Sequence, residues 1–283
     1  MELDKKIACC STLNDLYFEG FLTFFESLKT HNPKFNLPYY IFAWGDLSSK
    51  NIEYLHNLYT NFEIKNIDNT KYDGVKYSTR FRDWNINCVN RFEILSLSDY
   101  DRVIFFDVDM LIIKNLDELF QFDGDFCACE EPKDILIDHP AVFNQSLKTF
   151  NGGLMLFSKK YLNKETQDGL ISIALQKKWS SDEPILNTFF TNDKVTFLPD
   201  TYLVTMHGIT EKTFSSAKIL HFVGEKKPWN KGGLPDKYDR NCVRGLVDKT
   251  LLFKVDLKYR QYYNKAIKKF NEYKENSCNC TSR

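Results

Sequence analysis

The sequence predicts an α/β protein: a mixed, mostly parallel sheet flanked by helices, followed by a C-terminal helical extension. Three observations carry this prediction. Short β-type apolar runs alternate with segments of helical period through the first 67 residues, the pattern of successive βα units. A run at 102–106 reads as a central strand covered on both faces. The length of 283 residues sits near the upper end of what one continuous core supports, which favours one large domain, 1–244, over two equal halves, with 245–283 as the extension.

Taken in order, residues 7–10 form a short strand, and Ser11, Thr12 and Asn14 supply helix-start chemistry. Tyr17, Phe21, Phe24, Phe25 and Leu28 then recur at helical spacing, giving a helix with one buried stripe. Residues 39–43 read as the next strand, 48–59 as a helix with Ile52, Leu55 and Leu58 inward, and 62–67 as another strand. Residues 69–84 are rich in Tyr, Arg and Asp without a period, as expected of a loop that closes over a ligand. Val89, Phe92 and Leu95 mark one helical face, and 110–113 and 115–120 follow the central strand as an apolar run and a short helical turn. Strands are predicted at 126–129, 153–157, 195–198 and 218–222, and helices at 161–178 and 182–190. The irregular stretch 133–148 is long for a compact domain and suits a functional loop. From 247 to 273 an amphipathic pattern carries Leu251, Val255, Tyr259, Tyr262 and Phe270.

Composition narrows the function. Hydrophobic residues make up 43% of the chain and Phe alone numbers 24, enough for a real core. The 38 basic and 38 acidic residues cancel, so no global field recruits nucleic acid. The N-terminus lacks the basic-then-apolar pattern of a secretory signal, and no apolar run approaches the roughly 18 residues of a membrane span. Eight cysteines occur without a C-x-x-C pair; Cys9, Cys10, Cys127 and Cys129 fall in strands and read as small buried hydrophobes of a cytoplasmic protein.

Four motifs carry chemistry. In Ile104-Phe105-Phe106-Asp107-Val108-Asp109 two carboxylates end an apolar strand; if the strand continues, its period of two puts both on one side and turns Val108 inward. Such a pair can clamp a hard cation, with an exposed turn or helix cap as the alternative. Phe150-Asn151-Gly152-Gly153 places an amide that both donates and accepts beside glycines that admit a ligand to the main chain; taken alone, a tight turn is the preferred reading. Asp182-Glu183-Pro184 has the look of a helix start, where capping accounts for the acids without function. His221-Phe222-Val223-Gly224, leading to Lys227-Pro228-Trp229, ends a strand with an imidazole, a flexible glycine and a cation suited to phosphate.

In this order, D-x-D, F-N-x-G, D-[QE]-x-x-L-N and H-F-x-G-x-x-K-P-W, the motifs resemble those of the glycogenin-like family 8 glycosyltransferases, and the likeness extends to Thr12, Asn14, Asp15, Tyr17 and Gly20. The resemblance implies a GT-A fold, a UDP-sugar donor, a manganese or magnesium ion, and transfer with retention of anomeric configuration to a glycan or protein hydroxyl. It places Asp107, Asp109 and His221 on the metal. It places Thr12, Asn14 and Tyr17 on uridine, with Val108 also on the nucleotide side, and Gly224 and Lys227 on the diphosphate. Arg91 stands over the donor, and Asn151, Gly152, Asp182 and Glu183 line the sugar, so that Asp182, Glu183, Arg91 and Lys227 form the catalytic set. An oxygen-rich set with one imidazole suits manganese or magnesium.

Three departures from the family pattern stand out: Gly152 where glycogenin has Ser, Arg91 where it has Lys, and Glu183 where the family usually has Gln. A carboxylate at 183 is able to stabilise an oxocarbenium-like cation, act as a nucleophile or bind the acceptor. Two rivals remain. A nucleotidyltransferase would be expected to carry a Gly-rich basic phosphate loop near the N-terminus, and residues 8–17 contain neither Gly nor Lys. A non-catalytic carbohydrate-binding protein would be expected to lack the full Asp-Asp-His set. The C-terminal helix interleaves Lys254, Lys258, Arg260, Lys265, Lys268, Lys269 and Lys274 with Tyr259, Tyr262, Tyr263, Phe270 and Tyr273, which suits either docking on the domain or a second subunit, or a peripheral membrane contact.

Overall fold

The computed structural model describes residues 5–77, 88–131, 148–206, 209–224, 227–230 and 249–280. The predicted loop at 69–84 is therefore described only to Tyr77, the stretch at 133–148 only at Lys148, and Cys242 lies outside the described residues.

Seven strands form the central sheet in the order β10-β7-β8-β5-β1-β2-β3, where β1 is Ile7–Leu13, β2 Tyr39–Ala43, β3 Phe62–Asn66, β5 Arg102–Phe106, β7 Phe126–Glu130, β8 Phe150–Ser158 and β10 Thr196–Leu198. The pairs β1/β2, β2/β3, β1/β5 and β7/β10 are parallel, whereas β8 runs antiparallel to both β5 and β7. This is the mixed, mostly parallel sheet that the alternating pattern predicts. Strands β1 and β5 are buried almost throughout, as an uninterrupted apolar run requires when both faces are covered. A smaller sheet joins β11 (Val204–Thr205), β12 (Ile219–His221) and β6 (Met110–Ile112), and a two-residue ribbon pairs β4 (Lys76–Tyr77) with β9 (Lys178–Trp179).

Helix α1 (Phe18–His31) buries Phe21, Phe24, Phe25 and Leu28 on one side of the sheet. Phe25 alone meets the rings of Phe21, Phe35, Tyr39, Tyr59 and Phe62. A fully buried Phe of this kind is worth about 1.5–3 kcal/mol in transfer terms. The opposite side is covered by Val89, Phe92 and Leu95, by α4 (Lys164–Gln176) and by α5 (Glu183–Phe189). The helix expected around Val89, Phe92 and Leu95 is present over 88–96 and winds as a 3-10 helix. The three-residue spacing of Val89, Phe92 and Leu95 fits its three-residue turn and keeps all three buried. Helices α2 (Ser49–Leu58), α3 (Asp117–Phe120) and α6 (Glu211–Ser216) complete the connections. The predicted helix at 161–178 starts later, because the Asn163 side chain caps it by accepting from Thr166 N, and its last residues join β9.

Helix α7 (Lys249–Cys280) lies against α1. Tyr259, Tyr262, Ala266 and Phe270 are buried, Phe270 packs on Phe18 and Tyr54, and Lys265 and Lys269 each reach the Glu26 carboxylate at 2.6 Å. Those aromatic rings are thus spent on intramolecular packing, while Phe253 and Leu257 face outward. Among the described residues no helix is long and apolar enough to cross a membrane.

Cys9, Cys10, Cys127 and Cys129 are buried free thiols, and burial pushes each of them upward, Cys127 to about 11.

Candidate functional site

The chain changes sheets at Asp107-Val108-Asp109. Strand β5 ends at Phe106, Asp107 N donates to Gly153 O at 2.8 Å, and Met110 begins β6 in the smaller sheet. The carboxylate pair therefore sits on a bend between two sheets rather than on a continuing strand. Val108 is buried all the same. Strand β12 pairs His221 with Met110, and Phe222 N donates to Asp109 O at 2.9 Å, so the imidazole is carried to the two acids by ordinary strand pairing. One ligand atom each from Asp107, Asp109 and His221 lie within 4.8 Å of one another. His221 Nε2 is 3.2 Å from Asp109 Oδ1 and 3.6 Å from Asp107 Oδ2. The donor set, two carboxylates and one imidazole at the carboxyl end of β5, fits an oxygen-preferring divalent cation.

Two cations flank these acids. Lys227 Nζ lies 2.5 Å from Asp109 Oδ2 and donates to Phe222 O at 3.3 Å. Burial opposes ionisation of Asp109, but Lys227 and His221 outweigh it and hold the carboxyl well below the usual range. Arg91 joins three groups: Nε is 2.7 Å from Asp182 Oδ2, Nη1 donates to Gly152 O at 2.9 Å, and Nη2 is 3.4 Å from Asp107 Oδ1. Its guanidinium also lies over the Phe105 ring at 5.0 Å. Asp107 is pushed up to about 6, chiefly by burial and further by the neighbouring Asp109, against the pull of Arg91 and His221.

Asp182 stands at the start of α5 but makes no side-chain cap, so the capping explanation of Asp182-Glu183 fails for its first residue. Its carboxylate is shared by Arg91, the main-chain N–H groups of Asp182 and Glu183, and the Cys88 thiol. Glu183 Oε1 accepts from Gly152 N at 2.7 Å, and Asn187 exchanges two 2.9 Å hydrogen bonds with Phe150, which zips α5 to the start of β8. Residues 150–153 are strand, not the tight turn the glycines also allowed. A Cβ on Gly153 would meet His221 Cε1 at 2.5 Å, and one on Gly152 would meet Arg91 Nη1 at 2.9 Å, so both glycines make room for site side chains.

Of the residues that the resemblance assigns to uridine, Thr12 lies in β1, and Asn14 accepts from Tyr17 N at 3.2 Å, opening the turn into α1. Tyr17 is half-buried, edge-on to Trp229 at 5.9 Å, with Lys227 Nζ 6.0 Å from its ring centre. Trp229 in turn lies on Gly20, where a Cβ would come within 2.5 Å of the indole. Gly224 adopts φ +99°, a backbone state that other residues rarely hold. These contacts thus bring Lys227, with Tyr17 beside it, to Asp109, and Arg91, with Asp182 and Gly152, to Asp107, while Glu183 joins Gly152.

Sequence reasoning missed two participants. Glu131 is buried one residue past β7, and its Oε2 accepts from Asn151 Nδ2 at 2.6 Å. Asn151 Oδ1 is in turn taken by Gly153 N at 2.9 Å, so that carboxamide is held within the protein. The Glu-Glu-Pro at 130–132 was the only signal for Glu131, and it lay beside a loop with no periodicity. Cys88, which reaches Asp182, carried no signal at all.

The Glycosyl transferase family 8 model matches residues 8–233. Human Glycogenin-1 is 28% identical over 232 residues, covering 77% of this chain and 61% of that protein. Human Glycogenin-2 is 27% identical over 228 residues, covering 77% of this chain and 42% of that protein, so the chain spans only about half the length of these relatives. The solved galactosyltransferase LgtC, in complex with donor and acceptor sugar analogs, superposes with a TM-score of 0.68 at 14% identity, covering 91% of this chain and 95% of that one, a likeness of fold. With the family model matching residues 8–233, across all four motifs, the chain belongs to glycosyl transferase family 8, and it has the GT-A fold of its structural neighbours.

Proposed function

We propose that the protein is a metal-dependent, retaining hexosyltransferase that moves glucose or galactose from a UDP-sugar to a hydroxyl of a glycan or protein. The observation that carries this reading is the meeting of Asp107, Asp109 and His221 at the sheet change, beside Arg91 and Lys227. The three ligands would hold a manganese or magnesium ion, whose charge would offset the negative charge that grows on a leaving diphosphate. Lys227, now paired with Asp109, would supply a further positive charge to that diphosphate. Arg91, fixed by Asp107, Asp182 and the Gly152 carbonyl, places a second positive charge toward the sugar end. Tyr17, Asn14 and Thr12 border the uridine end, and the partly buried Glu183 faces the sugar end, where its carboxyl would meet the transferring hexose. Residues 1–244 form the catalytic unit in this reading and 245–283 an extension docked on it.

Incubating the protein with a panel of UDP-, GDP- and CMP-sugars, with and without manganese, tests the proposal. Metal-dependent release of UDP from UDP-glucose or UDP-galactose is expected, and intact-mass analysis would register any sugar added to the chain's own tyrosines. A preference for a GDP- or CMP-sugar would refute the donor assignment.

A further inference from the structure

Two carboxyl groups that the Asp107, Asp109 and His221 cluster does not use are held by consecutive residues of β8. Glu131 accepts from the Asn151 side chain at 2.6 Å, and Glu183 accepts from the Gly152 main chain at 2.7 Å. Around them stand Asp182 on the same turn as Glu183, Arg91 from the 3-10 segment, and His221 from β12 toward Glu131. Arg91 is already divided among Asp182, Asp107 and the Gly152 carbonyl. If all were ionised, Glu131, Asp182 and Glu183 would place three negative charges against that one shared guanidinium. Like charges in a desolvated site are relieved most cheaply by keeping a proton.

We infer that Glu131 and Glu183 work as a pair that keeps one proton, carried mainly by Glu183, so that Glu183 meets the transferring sugar as a neutral hydrogen-bond donor while Glu131 stays ionised on the Asn151 amide. The sugar part rests on the family 8 donor reading; the pairing does not. The proton is assigned to Glu183 on geometry. Gly152 N–H occupies Oε1, which leaves Oε2 as the protonated oxygen; Asp182, its charge shared with Arg91, stands on the Glu183 side, whereas His221 lies beside Asn151 on the Glu131 side. Glu131 receives the Asn151 N–H, and its charge orients the carboxamide so that Oδ1 points back to Gly153 N. Burial and the neighbouring Glu131 both push the Glu183 carboxyl well up; burial raises Glu131 as well, but there the Asn151 amide and His221 pull against it.

The test is a side-chain carboxyl titration by NMR on the full chain, labelled at glutamate Cδ, with magnesium present. Glu131→Gln and Glu183→Gln are measured alongside. The wild-type titration needs no variant: one of the two glutamates is expected to hold its proton far above the ordinary glutamate range. Glu131→Gln should lower the Glu183 midpoint by about one pH unit or more, as loss of a like-charged neighbour does. If both glutamates titrate in the ordinary range, or if Glu183 does not move in Glu131→Gln, the pair is refuted. The pH profile of UDP-sugar turnover gives a second readout. The wild type is expected to lose turnover at alkaline pH as Glu183 gives up its proton, and Glu183→Gln, which keeps a donor at every pH, should lack that fall whatever its absolute rate; a wild type without the fall, or a fall that persists in Glu183→Gln at the same midpoint, overturns the role. If the wild type turns over no UDP-sugar at any pH, the donor reading fails while the titration still decides the pair.

Discussion

Replacing Gly153 by Ala tests how closely the strand and the candidate metal site are fitted together. The new Cβ would stand 2.5 Å from His221 Cε1, 2.8 Å from Met110 Cε and 2.9 Å from Asn151 Oδ1. Ordinary carbon contacts begin near 3.4 Å, so the imidazole must retreat by about 1 Å. His221 is only 3% exposed and has no open side to move into. Overpacking of this kind costs about 1–3 kcal/mol of stability. Metal ligands tolerate displacements of about 0.2 Å, and disturbing the support of one ligand typically costs 10- to 100-fold in metal affinity, so roughly that loss is expected here. Urea denaturation reads the first quantity and manganese titration by calorimetry the second. A Gly153→Ala protein that keeps wild-type stability and wild-type manganese affinity would refute the packing argument and the assignment of His221 to the metal.

Other consequences follow from the same contacts. Phe270→Ala removes a ring packed at 5.3 Å from Phe18 and 4.7 Å from Tyr54, and should cost about 3–5 kcal/mol in urea denaturation; a loss under about 1 kcal/mol would mean that α7 is only loosely attached. Asp107 must be ionised to bind a cation, and its carboxyl is pushed up to about 6, so manganese affinity should fall by at least about tenfold per pH unit below that point, since the His221 imidazole must also be free of its proton to bind. Flat affinity between pH 5 and pH 7, by calorimetry, would contradict the participation of Asp107 (a range of about two units around the perturbed value).

Much of the fold was legible because its signals are local. Apolar runs such as Val103–Phe106 and the helical stripe from Phe21 to Leu28 report burial without reference to the rest of the chain. What was not legible depends on partners distant in sequence. The bend at 107–109 arises because Met110 pairs with His221 in a second sheet, and a period-of-two argument has no access to that pairing. The failure of Asp182 to cap its helix has the same origin: Arg91, far along the chain, takes the carboxylate. Glu131 escaped notice because one glutamate in a polar stretch gives no pattern until β7 and β8 pair and set it on Asn151. The ordered motifs carried more than the single residues, since Asp107, His221, Gly152 and Lys227 lie far apart in sequence yet are joined through Asp109 and Arg91.

The central claim is that Asp107, Asp109 and His221 bind a divalent cation through which a uridine diphosphate is held. Calorimetry of UDP binding, with and without manganese, in the wild type and in Asp109→Asn, tests it most directly. The account predicts weak binding without metal, tight binding with manganese, and loss of the manganese-dependent gain in Asp109→Asn while the fold, followed by circular dichroism, is unchanged. Tight UDP binding in the absence of metal, or an undiminished manganese effect in Asp109→Asn, would contradict it.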